Sequence, residues 1–421
     1  MKIERLWNFV IISDYLAKIA KLGNAHCLKK NIYFQKKSVF FDKLIRMEVT
    51  LTTPPAFEKT FYNFHDKYEM LGHSFDPKFT KEQMKPKWQR VCRFCGRSKP
   101  DTTFKSDAHL IPEQLGNTML FSDFECHECN LRFGKYESQL AEFLGISRTL
   151  AFTRNKGKVP TFRSADDSLR AKHDVLNEQD YVVVSRSDAA DGSIISDIEK
   201  GSITATYTKK PYIPASVYRA FLKMALSVID GNEVNAAYKI ALDFLNNTGH
   251  IKFICGAIAY GFEAPFQLAE HPYFYLFKKK KPDEPIHTHF LILYFQKFII
   301  GFPVPFHKQD LSFYGNPFQV LDFPPMLPQH QLKETTEFKR IFIDLNSEER
   351  VTGEKEQINI TFDPAQAGVS AAYSPLSGKV KERPFDAFEI TEIIITGHAG
   401  NVALEELHQA VKKNSIQKPS S

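Results

Sequence analysis

The chain alternates short apolar runs with turn residues, and the period of each run separates helices from strands. Tyr136, Leu140, Phe143 and Leu144 recur at helical spacing and Gly145 supplies a stop, which predicts a helix from Asn130 onward. Before it lie two extended runs, 102–111 closed by Pro112 and a shorter one at 119–124, so this stretch reads as a ββα unit. Further along, strands are predicted at 181–185 and 203–207, then two helices. The first, 215–229, gathers Val217, Phe221, Met224, Ala225 and Val228 on one face. The second, 233–247, turns Val234, Ala241, Leu242 and Leu245 inward and ends near Gly249. β-Branched and aromatic runs predict strands at 251–262, 289–300 and 318–323.

The remaining segments are less patterned. Residues 155–175 are polar and read as a linker, and the lysine run 278–281 before Pro282 reads as a solvated hairpin tip. His287, His289 and His307 lack ligand spacing and read as ordinary strand and loop residues. Repeats and transmembrane runs are absent. The apolar patch from Trp7 to Ile12 is followed by Asp14 and Lys18 and by no small-residue cleavage site, so it does not read as a secretory leader. Met47-Glu-Val-Thr-Leu begins a plausible strand, which makes Met47 a candidate functional start and the residues before it a peripheral extension. The tail from Val411 reads as frayed. The expected organisation is an N-terminal extension over 1–80, a compact module over 81–150, a larger domain over 151–405 and a tail over 406–421. The fold class is α+β, and 421 residues with 43% hydrophobic content can bury a substantial core.

Cysteine spacing sharpens the picture of the module. Cys92-Arg-Phe-Cys95 is answered thirty residues later by Cys126-His-Glu-Cys129, and two such knuckles supply the four thiolates of a closed tetrahedral zinc site. The other two cysteines, Cys27 and Cys255, sit alone in apolar surroundings as buried thiols do, so a disulfide framework is the weaker reading. His127, inside the second knuckle, reads as a solvent-facing spacer. The insert between the knuckles exceeds the roughly 15–20 residues usual in a zinc ribbon. It brings His109, on the first strand, to face the start of the helix, where Asn130 directly follows a zinc ligand.

These residues resemble a family. Cys-x2-Cys, then Asp107-Ala-His109-Leu-Ile-Pro112, a Leu115-Gly116 turn and Cys-x2-Cys-Asn130 followed by Phe133-Gly134 are similar to the HNH endonucleases, the ββα-metal fold. The likeness is closest to their zinc-stapled branch, common in bacterial restriction and phage-defence proteins. It covers residues from about Val91 to Gly145. The resemblance implies that His109 is the general base and that Asn130 helps bind a catalytic Mg²⁺ or Mn²⁺, distinct from the structural Zn²⁺. A neutral imidazole near pH 7 suits deprotonation of water, and oxygen ligands suit the hard divalent ions.

The match departs from the family in two places. The residue directly before the base, often a metal ligand, is Ala108; Asp107 shares a face with His109 on a regular strand and is the substitute candidate. Asn117 stands for the middle asparagine and is expected to brace the loop. Glu137, one heptad along from Asn130, is a possible second carboxylate, but a solvated helix glutamate is the commoner case.

Charge points mildly to a polyanion. The whole chain is +6, while residues 81–158 hold 14 Lys/Arg against 9 Asp/Glu, a formal +5 that four thiolates and one Zn²⁺ lower to +3. Arg93, Arg97, Lys99, Arg132 and Lys135 are the expected nucleic-acid contacts, with Lys85, Lys87 and Arg90 close by in sequence. The reading is a cytoplasmic, metal-dependent DNA endonuclease with a larger α+β domain that regulates or targets it and no membrane association; a further option is that this C-terminal domain senses an activating ligand or partner protein. The competitor is a non-catalytic zinc module that binds nucleic acid or a partner.

Overall fold

A computed structural model describes residues 8–12, 30–32, 49–176, 179–187, 194–197, 201–246, 257–265, 267–314, 320–328, 336–361, 370–373, 380–383 and 390–396. The fold is α+β and falls into two compact units, one of residues 23–138 and 214–348, the other of 1–22, 139–213 and 349–421. Cys27, Cys255 and the tail from Val411 lie outside the described residues. Among the described residues no helix is long and apolar enough to cross a membrane.

The first unit contains α1 (Glu58–Lys67), β1 (Tyr68–His73), β2 (Ala108–His109), β3 (Phe121–Ser122) and α2 (His127–Leu144), whose residues from Gln139 onward belong to the other unit. It resumes with α3 (Pro214–Val228), α4 (Gly231–Ala237), α5 (Lys239–Asn246), β4 (Ile258–Glu263), β5 (Ala269–Lys279), β6 (His289–Gln296), β7 (Phe298–Val304) and β8 (Lys339–Asp344). The centre is an antiparallel sheet of order β8-β4-β7-β6-β5-β1.

Both faces of that sheet are covered, which is why every residue of β6 is buried and the run His-Phe-Leu-Ile-Leu-Tyr-Phe-Gln lacks polar alternation. On one face Phe64 of α1 stacks with Tyr68 at 5.0 Å and meets Phe277 and Phe290 edge-on at 5.0 and 5.4 Å. On the other, Tyr218 and Phe221 of α3 pack on Phe302 of β7 at 5.1 and 5.8 Å. Gly301, one residue before Phe302, faces the first side: a Cβ there would lie 2.2 Å from the Phe323 ring.

Several expected elements differ in length. The 289–300 strand is two strands, β6 and β7, joined at Gln296-Lys297; Gln296 takes φ 52°, and no glycine or asparagine advertises that turn. The 233–247 helix breaks at Tyr238, where the Lys308 N–H donates to the Ala237 carbonyl at 2.9 Å and the Tyr238 hydroxyl pairs with His289 Nδ1 at 2.7 Å. Of the 318–323 segment, the described residues 320–323 form no strand although Leu321 and Phe323 are buried; Pro324 and Pro325 follow with no N–H to donate. The 251–262 strand begins at Ile258, and 251–256 lie outside the described residues.

The lysine run is a solvated tip only in its second half: Lys280 and Lys281 are exposed beyond the end of β5, whereas the first two lysines are held by acidic partners. Lys278 pairs with Glu233 at 2.7 Å and Lys279, 1% exposed, with Asp310 at 3.0 Å, while Lys280 donates to the His65 carbonyl. A cation buried this deeply is tolerated only with such a partner.

In the other unit a sheet orders Asn8–Ile12, Ile390–Thr396, Gln179–Arg186, Leu169–Leu176 and Phe162–Arg163. Residues 155–175, expected as a linker, thus contribute two strands. Asn8–Ile12 runs parallel to Ile390–Thr396, so part of the segment before Met47 belongs to a sheet. A three-stranded sheet carries Ser202–Thr208 at its centre, and its alternating Ile203, Ala205 and Tyr207 share a core with Leu169, Ala171, Val182 and Val184.

Because Phe64 touches three aromatic rings of the central sheet, Phe64→Ala should destabilise the protein by about 3–5 kcal/mol. Chemical denaturation followed by tryptophan fluorescence checks this, and a change under about 1 kcal/mol would contradict the packing described.

Candidate functional site

The two knuckles place four thiols together. Gly96, at φ 73°, closes the first: its N–H donates to the Cys92 carbonyl and the Cys92 N–H to the Arg97 carbonyl, both at 2.8 Å. The second is the first turn of α2, which starts three residues before the expected helix because the Asn130 N–H already bonds the Cys126 carbonyl. All four Sγ atoms lie within 4.8 Å of one another, and Cys95 and Cys126 are 3.7 Å apart. Zn–S bonds of about 2.3 Å require S–S edges of about 3.8 Å in a regular tetrahedron, so the cluster is compatible with zinc.

The hairpin between the knuckles is much shorter than the expected strands. Ladder pairing is limited to Ala108 with Ser122 and His109 with Phe121, extended by the Leu110 N–H to the Leu120 carbonyl at 3.1 Å. Asn117 replaces the missing ladder. Its amide donates to the carbonyls of Ile111 and Leu120 at 2.6 and 2.9 Å and accepts from the N–H groups of Met119 and Leu120 at 3.1 and 2.9 Å. Four backbone partners fix which end of the amide is nitrogen, and that end lies 3.3 Å from His109 Nδ1. Both amide hydrogens already serve shorter bonds, so this contact orients the imidazole without fixing its tautomer.

His109 is half-buried, with its ring 4.8 Å from that of Phe121. Burial lowers its pKa below the ordinary 6.5, with Glu113 and Asp107 opposing and Lys223 and Lys81 assisting, so the ring is neutral near pH 7. Asp107 does share the neighbourhood but carries two cations, Lys81 at 3.2 Å and Arg90 at 3.6 Å. Burial alone would raise its pKa; the Lys81 hydrogen bond and the surrounding positive charge outweigh it and hold the carboxyl below its usual range. Asn130 is half-buried on α2, and its side chain makes no hydrogen bond to a described residue.

One residue unforeseen in the sequence organises the site. Lys223 of α3, 1% exposed, donates to the His109 carbonyl at 2.6 Å and pairs with Glu125 at 3.2 Å and Glu137 at 3.3 Å. Glu137, expected on a solvated face, is therefore a largely buried partner of this cation. Burial, helped by the neighbouring Glu137, pushes Glu125 up to about 7 against the pull of Lys223, and burial raises Glu137 as well against the same cation. The available signal was a lone lysine in a helix whose other positions are almost all buried.

Arg93 also departs from expectation. Its Nη1 donates to the carbonyls of Leu226, Ser227 and Ile229 at 2.8–2.9 Å, and its guanidinium lies 3.5 Å over the Phe124 ring. It satisfies the open carbonyls at the end of α3 and is half-buried, a structural contact and not a phosphate-facing one. Arg132 bonds Asn246 at 2.6 Å, and Asn246 in turn donates to the Phe94 carbonyl. Arg97, Lys99 and Lys135 are exposed, Arg97 donating to Cys95 Sγ at 3.5 Å; His127 is half-buried.

A cleft of about 1230 Å³ lies beside the first knuckle, lined among others by Arg93, Phe124, Arg132, Glu233 and Asn246. His109 does not line it. Glu233 there lies 3.6 and 3.7 Å from His289 and His307, so these two histidines are members of an acidic-basic cluster.

The family model described as HNH endonuclease matches residues 92–141. No curated protein and no solved structure matches the chain.

Two outcomes follow from this geometry. Metal analysis of the parent should find roughly one zinc per chain, Cys126→Ser and Cys129→Ser proteins should lose it, and unchanged zinc content in those variants would refute the site. Lys223→Met should keep the zinc but cost about 3–5 kcal/mol, because two buried carboxylates lose their cation; adding Glu125→Gln and Glu137→Gln should recover most of that loss in denaturant titrations.

Proposed function

We propose that the protein hydrolyses DNA phosphodiester bonds, with His109 as general base and Asn130 as a ligand of a catalytic Mg²⁺ or Mn²⁺, a reading supported by the match of residues 92–141 to the HNH endonuclease family model. The observation that carries this reading is the half-exposed imidazole of His109, held by Asn117 and Phe121 on a hairpin that leads into the helix carrying Asn130 in its first turn. The resemblance to restriction and phage-defence nucleases supports foreign DNA as the substrate.

The protein's own groups account for the proton. As the oxygen of the attacking water bonds phosphorus, its proton passes to an imidazole nitrogen of His109, and the bond to the leaving oxygen breaks. The carbonyl of His109, fixed by Lys223, and the ring contact with Phe121 hold the imidazole in one place while this occurs. When bound, Mg²⁺ or Mn²⁺ supplies positive charge to the phosphate and the leaving oxygen. The residues fit that ion in part: the Asn130 amide oxygen has no protein partner among the described residues, whereas Asp107 would have to exchange Lys81 and Arg90 for it.

Purified protein incubated with supercoiled plasmid and Mg²⁺ or Mn²⁺ should nick or linearise it. His109→Ala should keep zinc and fold while losing about 10²-fold or more in rate, and Asn130→Ala should lose activity too. Asp107→Ala should fall far less, since its carboxylate serves Lys81 and Arg90. Equal cleavage by parent and His109→Ala would remove the proposed base.

A further inference from the structure

Trp88 has a place in the fold that the site described so far does not use. It is 71% exposed, in a turn closed by the Gln89 N–H donating to the Pro86 carbonyl at 2.9 Å. An isolated surface tryptophan would mean little, but this one sits on a strap fastened to the hairpin of His109. The Lys85 N–H donates to Asp123 at 2.9 Å, Lys87 Nζ to the Lys105 carbonyl at 2.8 Å, and Arg90, which also bonds the Lys85 carbonyl at 2.8 Å, pairs with Asp107 at 3.6 Å. Lys81 adds a contact to Asp107 and lies 5.4 Å over the Phe121 ring, which itself packs on His109. The turn carrying Trp88 is thus held against both strands that position the imidazole.

The charge around it is of one sign. Residues 84–100 contain six Lys/Arg and no Asp/Glu. Arg90 and Arg93 are spent on protein contacts; Lys85, Lys87, Arg97 and Lys99, the second and third of which also donate to the Lys105 carbonyl and to Cys95 Sγ, stay exposed close to Trp88 in the chain. Exposed cations with an aromatic face among them match a nucleic-acid strand, whose phosphates take the charge and whose bases take the ring. A paired base inside a duplex hides its face by stacking on its neighbours. An unpaired base does not.

We infer that Trp88 stacks on an unpaired base of the nucleic acid next to the scissile site, so that the strap selects single-stranded or distorted DNA. This rests on the nuclease reading of the His109 site and adds the form of its substrate. Stacking on an aromatic side chain contributes about 1–3 kcal/mol per base, which is roughly 5- to 150-fold in affinity.

The test uses full-length, zinc-loaded protein without Mg²⁺ or Mn²⁺, titrated with a fluorescein-labelled single-stranded 20-mer and with its duplex. Trp88→Ala should weaken single-strand binding by about tenfold and duplex binding by less, with the slope of log affinity against log salt unchanged because no phosphate contact is lost. Trp88→Phe should retain most of the affinity. In a Trp7→Phe protein, where Trp88 is the only tryptophan, the single strand should quench the indole emission. Single-strand affinity equal to the parent in Trp88→Ala, or unquenched emission at saturation, would overturn the inference. If the parent cleaves plasmid while Trp88→Ala binds normally, only the stacking role fails. If the parent neither binds nor cleaves any DNA, the nuclease reading fails and the inference with it.

Discussion

A β-ladder of two residue pairs is too short to hold a side chain in one place by itself, and much of what surrounds His109 answers that constraint. The four-cysteine cluster, whose geometry suits a metal such as zinc, brings the two ends of the insert together. Asn117 supplies four side-chain hydrogen bonds where a longer hairpin would have used its backbone. Lys223 then fastens the His109 carbonyl from the far side. Each device acts on the backbone or on a neighbour of the imidazole, so the ring is oriented while it stays only half-buried.

The balance of charge at Lys223 shows which effect dominates there. Two buried carboxylates and one ammonium leave a formal excess of one negative charge, and desolvation drives Glu125 toward its protonated form. The ammonium cannot leave: without it both carboxylates would be unpaired in a site with almost no exposure. This cluster is therefore poor evidence for stability as such and good evidence for geometry, because a cation with three fixed acceptors permits one arrangement of β2, α2 and α3.

Much of this was legible in the sequence. The cysteine spacing, the position of His109 on a strand end and Asn130 after a zinc ligand could all be read directly, because metal ligands and helix periodicity leave local marks. The helix at 215–229 was placed within a residue for the same reason. Contacts made across long separations left no such mark. Lys223 reaches Glu125 over 98 residues of chain, Arg93 caps a helix 133 residues away, and the lysine run at 278–281 finds Glu233 and Asp310 only after folding. Turn chemistry failed at Gln296 because a glutamine at positive φ carries no compositional signal. The short hairpin was overestimated because apolar runs predict strands, while here side-chain bonds from Asn117 stand in for pairing.

Reciprocity between the knuckle and α3 bears on what counts as the functional unit. Arg93, between two zinc ligands, satisfies the last carbonyls of α3, and α3 returns Lys223 to the strand of His109. The family match ends at residue 141 and so includes both carboxylates but not the cation that neutralises them. A fragment cut at the end of that match would leave Glu125 and Glu137 without Lys223 and Arg93 without its acceptors. Lys223 and the acceptors of Arg93 lie in the same compact unit as His109, the one formed by residues 23–138 and 214–348.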